Sequence, residues 1–544
     1  MITIFLKNAR KGVGICALAG MAAFMLTFAS AQSFWVDELD WMIGIITGKS
    51  VFNGRLFTGM LQILLETGYN LPLYYLIEKP FYELMPYGEA FLLIPSIIFV
   101  IAGIVILKRL GTFIGGETMG FAALCAAVTS AILITQGGWE IRPYSITFCF
   151  SAFALYRYVK RLKTETNKNI LLYGLSLIPL LFSHWFGSIL ALCYAFTDLL
   201  RYIRKKTALR CIFSYLLAGA FIIPWFLLML FYHISDLSSY WGKPPSIIAP
   251  IKTIAYLLSF RTAYCLCFGV GFIVVIGKAF KRNAGVWPLM IVSVMWVIAP
   301  VWIYSKFINP AGAFYADRYF FALMPHIFLI TGYGFLEIFR AVENHFFAAE
   351  RGKNYFYSII ALLFCAFYFQ TYQSAYRQAH SIREPYREIA AYLAEDPRIY
   401  ADNTLVINSG GSAWIEYYFR KRGVAIPAAV CVYSSPAPYR GAQKVYLFIE
   451  NGEYVQPTLL TEEKLAKYEY IYLAEVHGLF TEAFIGAIEK TYRLKEEKSF
   501  KKEKSQLIKP GTKDILKRIV KDALRINASQ PKTPFGLRLY AKIP

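Results

Sequence analysis

Two adjacent carboxylates, Asp37 and Glu38, stand between Trp35 and Trp41 just past the first long apolar run of the chain. Ionised groups at that depth are costly unless solvated or paired, and indole rings favour the membrane-water boundary. A carboxylate within hydrogen-bond reach of an incoming hydroxyl can remove its proton as a new bond forms. An acidic helix cap is the plainer alternative for the same pair. Farther on, Glu140 and Arg142 precede Pro143 and Tyr144, His184 precedes Trp185, and Asp317, Arg318 and Tyr319 are contiguous. A guanidinium offers a planar fork of donors to phosphate oxygens, so Arg142 and Arg318 are candidates to hold an anion. Against that, Glu140 and Arg142 can simply pair with each other, and Arg318 can be a snorkelling anchor. His184 reads first as a hydrogen-bonding core residue, although with an acidic neighbour such as Glu140 it can help hold a divalent cation.

Membrane helices must position these groups. The 544 residues are 57% hydrophobic, 17% aromatic and 17% charged, which departs from soluble composition toward a membrane protein. Apolar runs at 12–33, 91–107, 119–137, 143–159, 169–183, 185–202, 211–231, 263–279, 286–304, 319–339 and 355–374 predict a polytopic α-helical protein with about eleven transmembrane helices. Each run is long enough, or nearly so, for roughly 30 Å of hydrocarbon. The net charge of +22 does not point to nucleic acid, because the bases fall in short loops and in the last fifty or so residues. Lys7, Arg10, Lys11, Lys108, Arg109, Arg157, Lys160, Arg161, Lys163 and Lys168 crowd one set of loops, while the alternating set is sparsely basic despite its greater length. That asymmetry places the N-terminus in the cytoplasm and everything after residue 375 outside. The predicted location is therefore the cytoplasmic (inner or plasma) membrane, with the lipid bilayer as a partner and the candidate residues sharing the outer face.

The first run is longer than a signal-peptide core and leads into the acidic-aromatic stretch without a clear small-residue cleavage site, so it is expected to remain as a helix. Cys16, Cys125, Cys149, Cys193, Cys211, Cys265, Cys267 and Cys365 fall in or beside apolar runs and read as packing residues rather than a disulfide framework. There is no structural-zinc spacing, phosphate-binding loop or dinucleotide fingerprint, which argues against a nucleotide-driven pump.

A membrane domain over 1–374 is expected to include an external loop, 34–90, with surface helices near Leu56–Glu66 and Tyr74–Leu84. Pro244, Pro245 and Pro250 interrupt the next long outer segment, and Ile247–Phe260 predicts a surface or re-entrant helix. Beyond 375, strands at Thr404–Ile407, Lys444–Ile449 and Tyr468–Leu473 alternate with helical patterns at 384–396, 412–421, 461–467 and 479–490. This predicts a small extracytoplasmic α/β domain over 375–490. The remainder, 491–544, reads as a basic tail with an amphipathic helix at Asp514–Ile526.

In order, Trp35-Val36-Asp37-Glu38, Asn70-Leu71-Pro72-Leu73-Tyr74-Tyr75-Leu76, Arg142-Pro143-Tyr144, His184-Trp185-Phe186-Gly187 and Asp317-Arg318-Tyr319-Phe320 with Leu323 and Pro325 resemble the motifs of GT-C glycosyltransferases. The resemblance covers about residues 30–340 and is nearest to the branch containing protein O-mannosyltransferases and lipid A aminoarabinose transferases. It implies an inverting enzyme that takes a sugar from a polyprenyl-phosphate carrier and passes it to an acceptor hydroxyl on a glycan, lipid or protein of the cell envelope. By position, Asp37 would be the general base, Glu38 would orient the acceptor or share its proton, and Arg318, helped by Arg142, would bind the donor phosphate. Trp35, Glu140, Tyr144, His184, Asp317 and Tyr319 would line the substrate site. Asn70 departs from the histidine of many relatives and Glu140 from an aspartate. The resemblance compels no cofactor and leaves a divalent cation open. The competing classes are a transporter or flippase of lipid-linked sugars and a non-catalytic scaffold that binds an envelope polymer. A transporter would favour ionisable groups near the midplane and related halves; a scaffold would leave the paired carboxylates without a task.

Overall fold

The computed structural model describes residues 2–29, 34, 38, 42–47, 50–52, 55–57, 59–67, 71–204, 208–232, 244–279, 287–310, 315–346, 350–379, 386–408, 413–433, 444–450, 453–454, 465–475, 482–500 and 535–542. Asp37, Trp35, Trp41, Asn70 and the expected helix Asp514–Ile526 lie outside them. The chain divides into two units, one of residues 1–29 and 59–375 and the other of residues 30–58 and 376–544.

The first unit is helical. Its elements are α1 (Ile2–Thr27), α2 (Met60–Thr67), α3 (Leu73–Leu84), α4 (Ile94–Val128), α5 (Tyr144–Lys163), α6 (Asn167–Ser183), α7 (Trp185–Ile203), α8 (Phe213–Tyr232), α9 (Ala249–Leu257), α10 (Thr262–Ala279), α11 (Trp287–Ile303), α12 (Met324–Phe346) and α13 (Glu350–Ala379), the last turn of which belongs to the second unit. A helix overlaps every expected span. Five among the described residues are long and apolar enough to cross a membrane, or six if the bent pair α9 and α10 counts as one. This is a multi-pass membrane protein. The continuous label of α4 conceals a hairpin: Gly115 is non-helical and Gly116 has φ +81°. In a straight helix twelve residues span about 18 Å, yet a Cβ on Gly120 would lie 2.7 Å from the Lys108 carbonyl oxygen. Two antiparallel helices therefore occupy the expected runs 91–107 and 119–137.

Every residue from Phe320 to Gly334 is buried, so the start of α12 forms the centre of this unit. It packs on α10 through backbone contact: a Cβ on Gly334 would strike the Cys267 carbonyl oxygen and one on Gly271 the Ile330 carbonyl oxygen. Small residues permit such approach between membrane helices. Gly334→Val is expected to destabilise the protein by about 1–3 kcal/mol or more through overpacking. Thermal unfolding of the purified protein checks this, with Gly269→Val as the control because nothing lies within 4 Å of its added Cβ.

Arg161, counted above among the loop bases, is instead fully buried. Its guanidinium lies 4.7 and 4.5 Å from the ring centroids of Tyr158 and Tyr173 and bonds Asp198, which also accepts from Tyr158 Oη at 2.8 Å and Tyr215 Oη at 2.7 Å. A buried charge persists when paired and hydrogen-bonded, and here the pairing ties α5, α6, α7 and α8 together. The eight cysteines named above are free thiols.

The second unit contains a short hairpin of β1 (Ser50–Phe52) and β2 (Arg55–Phe57) and a seven-stranded mixed sheet. The sheet strands are β3 (Thr404–Asn408), β4 (Ala429–Tyr433), β5 (Lys444–Glu450), β6 (Glu453–Tyr454), β7 (Tyr470–Glu475), β8 (Tyr492–Phe500) and β9 (Phe535–Lys542), in the order β6-β5-β4-β3-β7-β9-β8. Helices α14 (Tyr386–Glu395), α15 (Ala413–Lys421) and α16 (Glu482–Glu489) accompany it. β3 runs parallel to β4 and β7, and all five of its residues are buried, as expected of a central parallel strand. Leu405, Ile407, Ile471, Leu473, Ile488, Tyr492 and Tyr540 form the core.

Two expected boundaries change. Residues 30–58, assigned above to the membrane domain, group with the second unit, where the Phe34 N–H donates to Tyr418 Oη at 2.9 Å. Strands β8 and β9 come from the expected basic tail and pair with each other and with β7. The charged sequence Tyr492–Phe500 hid a strand because it lies at the sheet edge, where charge discourages pairing with other chains.

Candidate functional site

The first unit brings Glu140, Arg142, Tyr144, His184, Asp317, Arg318 and Tyr319 into one neighbourhood. The Arg142 N–H donates to the Glu140 carbonyl at 2.9 Å and closes a turn, after which Pro143, with φ −69°, starts α5 at Tyr144. Proline suits that position because its fixed φ is helical and its missing N–H has no partner to lose. Arg142 is buried, and its Nη1 donates to Tyr144 Oη at 3.2 Å. Arg318, Glu140 and Tyr319 also lie within electrostatic reach of the Tyr144 hydroxyl.

His184 is the single residue between α6 and α7, and its Nδ1 accepts from the Phe186 N–H at 3.2 Å. Its ring centroid is 6.1 Å from Tyr144 and 5.6 Å from Tyr319. Burial first, and then the Arg142 charge, lower its pKa from 6.5 to about 3. The folded state thus prefers neutral His184, so the stabilisation is complete above pH 6.5 and is lost as pH falls toward about 3. His184→Asn is expected to lose less thermal stability than the parent between pH 7 and about pH 4, as unfolding midpoints across that range would show. The guanidinium that repels a proton from His184 also opposes a divalent cation there. Among the described residues no three His, Cys, Asp or Glu side chains gather to hold a metal.

Arg318 and Asp317 line a cavity of about 400 Å³ with Gln136, Lys252, Tyr256 and Tyr315. Thr253 Oγ1 lies 2.5 Å from Asp317 Oδ1 and 2.6 Å from Tyr315 Oη, and Tyr256 Oη donates to Gln136 Oε1. Sequence reasoning missed Gln136, Lys252, Tyr256 and Tyr315. The available signal was the surface or re-entrant helix expected over Ile247–Phe260, where α9 and α10 meet at a 112° bend. Ser259 and Phe260 adopt φ 58° and 51° there, a conformation that non-glycine residues occupy only at a cost. Ser259 Oγ accepts from the Ile132 N–H at 3.2 Å, which holds the bend against the end of the α4 hairpin.

Within this cavity two cations, Lys252 and Arg318, face one carboxylate, Asp317, and the phenols add donors. The N-termini of α5 and α7 open onto the adjoining Tyr144–His184 cluster with their positive ends. Such an arrangement can hold an anion while stacking apolar faces on tyrosine rings. Glu38 is buried but belongs to the second unit, and Asp37 and Trp35 lie outside the described residues.

The fold has known counterparts. Crystal structures of ArnT from Cupriavidus metallidurans, bound to undecaprenyl phosphate and in the apo state, match with TM-scores of 0.58 and 0.59 at 10% identity, covering 89% of this chain and 96% of theirs. The fold is ArnT-like. At such identity the likeness is one of fold alone, and it supports the resemblance to GT-C membrane glycosyltransferases at that level. The archaeal oligosaccharyltransferase AglB from Archaeoglobus fulgidus, in complex with an inhibitory peptide and a dolichol-phosphate, matches with a TM-score of 0.44 at 10% identity, covering 98% of this chain and 88% of that one, too low to carry weight. No family model matches the chain, and no curated protein matches it by sequence. At 89% of the chain, the matched region includes parts of both units.

Proposed function

We propose that the protein is an inverting GT-C glycosyltransferase that moves a sugar from a polyprenyl-phosphate carrier to an acceptor hydroxyl at the outer face of the cytoplasmic membrane. The observation that carries this reading is the meeting of Arg142 and Arg318 around Tyr144 beside a net-cationic cavity. In support, the structure of ArnT with a similar fold was solved with undecaprenyl phosphate. The leaving group is a phosphate ester that is already anionic, so it needs electrostatic stabilisation more than a proton donor. One carboxylate base on the opposite side of the sugar suffices for in-line inversion, whereas common glycoside hydrolases flank the bond with two. Asp37 takes that role, Glu38 orients the acceptor, and Arg318 and Arg142 hold the phosphate. Trp35, Glu140, Tyr144, His184, Asp317 and Tyr319 shape the site. The N-terminus is cytoplasmic, about eleven helices cross the membrane, and the second unit is extracytoplasmic.

The test is transfer of radiolabelled sugar from synthetic polyprenyl-phosphate sugars to envelope material in membranes carrying the protein. Label that moves only when the protein is present supports the reading. Movement of the intact lipid-sugar across vesicles without transfer would replace it with a transporter.

A further inference from the structure

The buried face of α3 carries two polar groups that the preceding mechanism does not use. Tyr75 and Glu78 are both 0% exposed. The Tyr75 hydroxyl has no hydrogen-bond partner among the described residues, and the Glu78 carboxyl is approached there by the Tyr74 hydroxyl, one turn earlier on the same helix. At 100° per residue Glu78 falls between Tyr74 and Tyr75 around the helix, and these three form its buried side.

That side adjoins the candidate site. Tyr74 Oη lies 2.9 Å from Ser96 Oγ, which donates to the Glu140 carbonyl at 3.1 Å. The Tyr75 hydroxyl is within electrostatic reach of Arg142 and Tyr144. Burial pushes the Glu78 carboxyl well above the ordinary range, offset in part by Tyr74 one turn earlier. A carboxyl that favours its neutral form offers both an O–H donor and acceptor sites.

Buried polar atoms in native proteins almost always find partners, and those that do not call for an explanation such as a ligand. A phosphate supplies only acceptors and would leave the acceptor oxygens of Tyr75 and Glu78 without donors. A hydroxylated ring supplies donors and acceptors together, and its apolar face packs on a phenol ring. We propose that Tyr75 and Glu78 form a subsite for neighbouring hydroxyls of the sugar, beside the arginines that hold its phosphate. This rests on the transferase reading above.

The test measures binding of a short-chain polyprenyl phosphate, and of the same lipid carrying glucose, mannose, galactose or arabinose, to the full-length protein in nanodiscs. The parent is expected to bind at least one glycosylated form about tenfold more tightly than the bare lipid, as one or two added hydrogen bonds would give. Tyr75→Phe and Glu78→Met should each reduce that preference severalfold, with bare-lipid binding and thermal stability retained. Retained preference in both variants, or no preference in the parent, overturns the subsite but leaves phosphate-lipid recognition standing. A large loss of thermal stability in both variants assigns them a structural role and also overturns it. A parent that binds neither kind of lipid overturns the transferase reading and the subsite with it.

Discussion

Asp37→Asn is expected to reduce sugar transfer about 10²- to 10⁴-fold, the contribution typical of a positioned general base. The amide matches the carboxylate in size but cannot take up the acceptor proton as the hydroxyl attacks, so insertion and folding should be spared while chemistry is lost. If Asp37 is the base, donor binding survives in this variant, because the phosphate is held elsewhere. Radiolabel transfer read beside donor binding separates the two effects. A normally inserted Asp37→Asn protein that transfers at the parental rate would remove Asp37 from the mechanism. Glu38→Gln should have a smaller effect, since Glu38 is assigned to orienting the acceptor rather than to carrying the proton.

The second large effect concerns Arg318. Arg318→Ala is expected to lower kcat about 10²- to 10³-fold, as removal of one donor to developing negative charge does in other enzymes, and to weaken binding of bare polyprenyl phosphate. Arg318→Lys should recover only part of the loss, because an ammonium restores charge without the planar fork that grips two oxygens. Arg318 is the cleaner target of the two arginines. It is half-buried at the cavity, whereas Arg142 is buried beside Tyr144 and its removal risks the local fold. Steady-state kinetics with donor varied, together with inhibition by the bare lipid, would check this. If Arg318 were only a snorkelling anchor, Arg318→Lys would behave as the parent, since a lysine also reaches the interface.

Much of the chemistry here depends on long-range proximity. Arg142 and Arg318 are far apart in the chain, and each alone has an ordinary explanation as an ion-pair partner or an anchor. They meet because the Arg142 turn starts α5 while Arg318 stands in the tight turn leading into α12, the buried centre of the first unit. His184 joins them because it occupies the break between α6 and α7. Lys252 and Tyr256 were silent in sequence because α9 looks like any short amphipathic segment until the bend at Ser259 and Phe260 turns it over Gln136.

The sequence by itself determined the class of molecule and where its apolar helices fall, because hydropathy over a run of residues is a local property that lipid reads directly. It also marked the central strand β3 and the helices beside it through local apolar pattern. What only the tertiary structure decided was partnership. Arg161 proved to be an interior residue held by Asp198 and flanking tyrosine rings rather than a loop base. The charged Tyr492–Phe500 became an edge strand of the sheet, and the buried face of α3 set Tyr75 within electrostatic reach of Arg142. Each outcome depends on which distant segment removes water from a side chain. That burial decides whether a polar group is solvated, paired or left for a ligand.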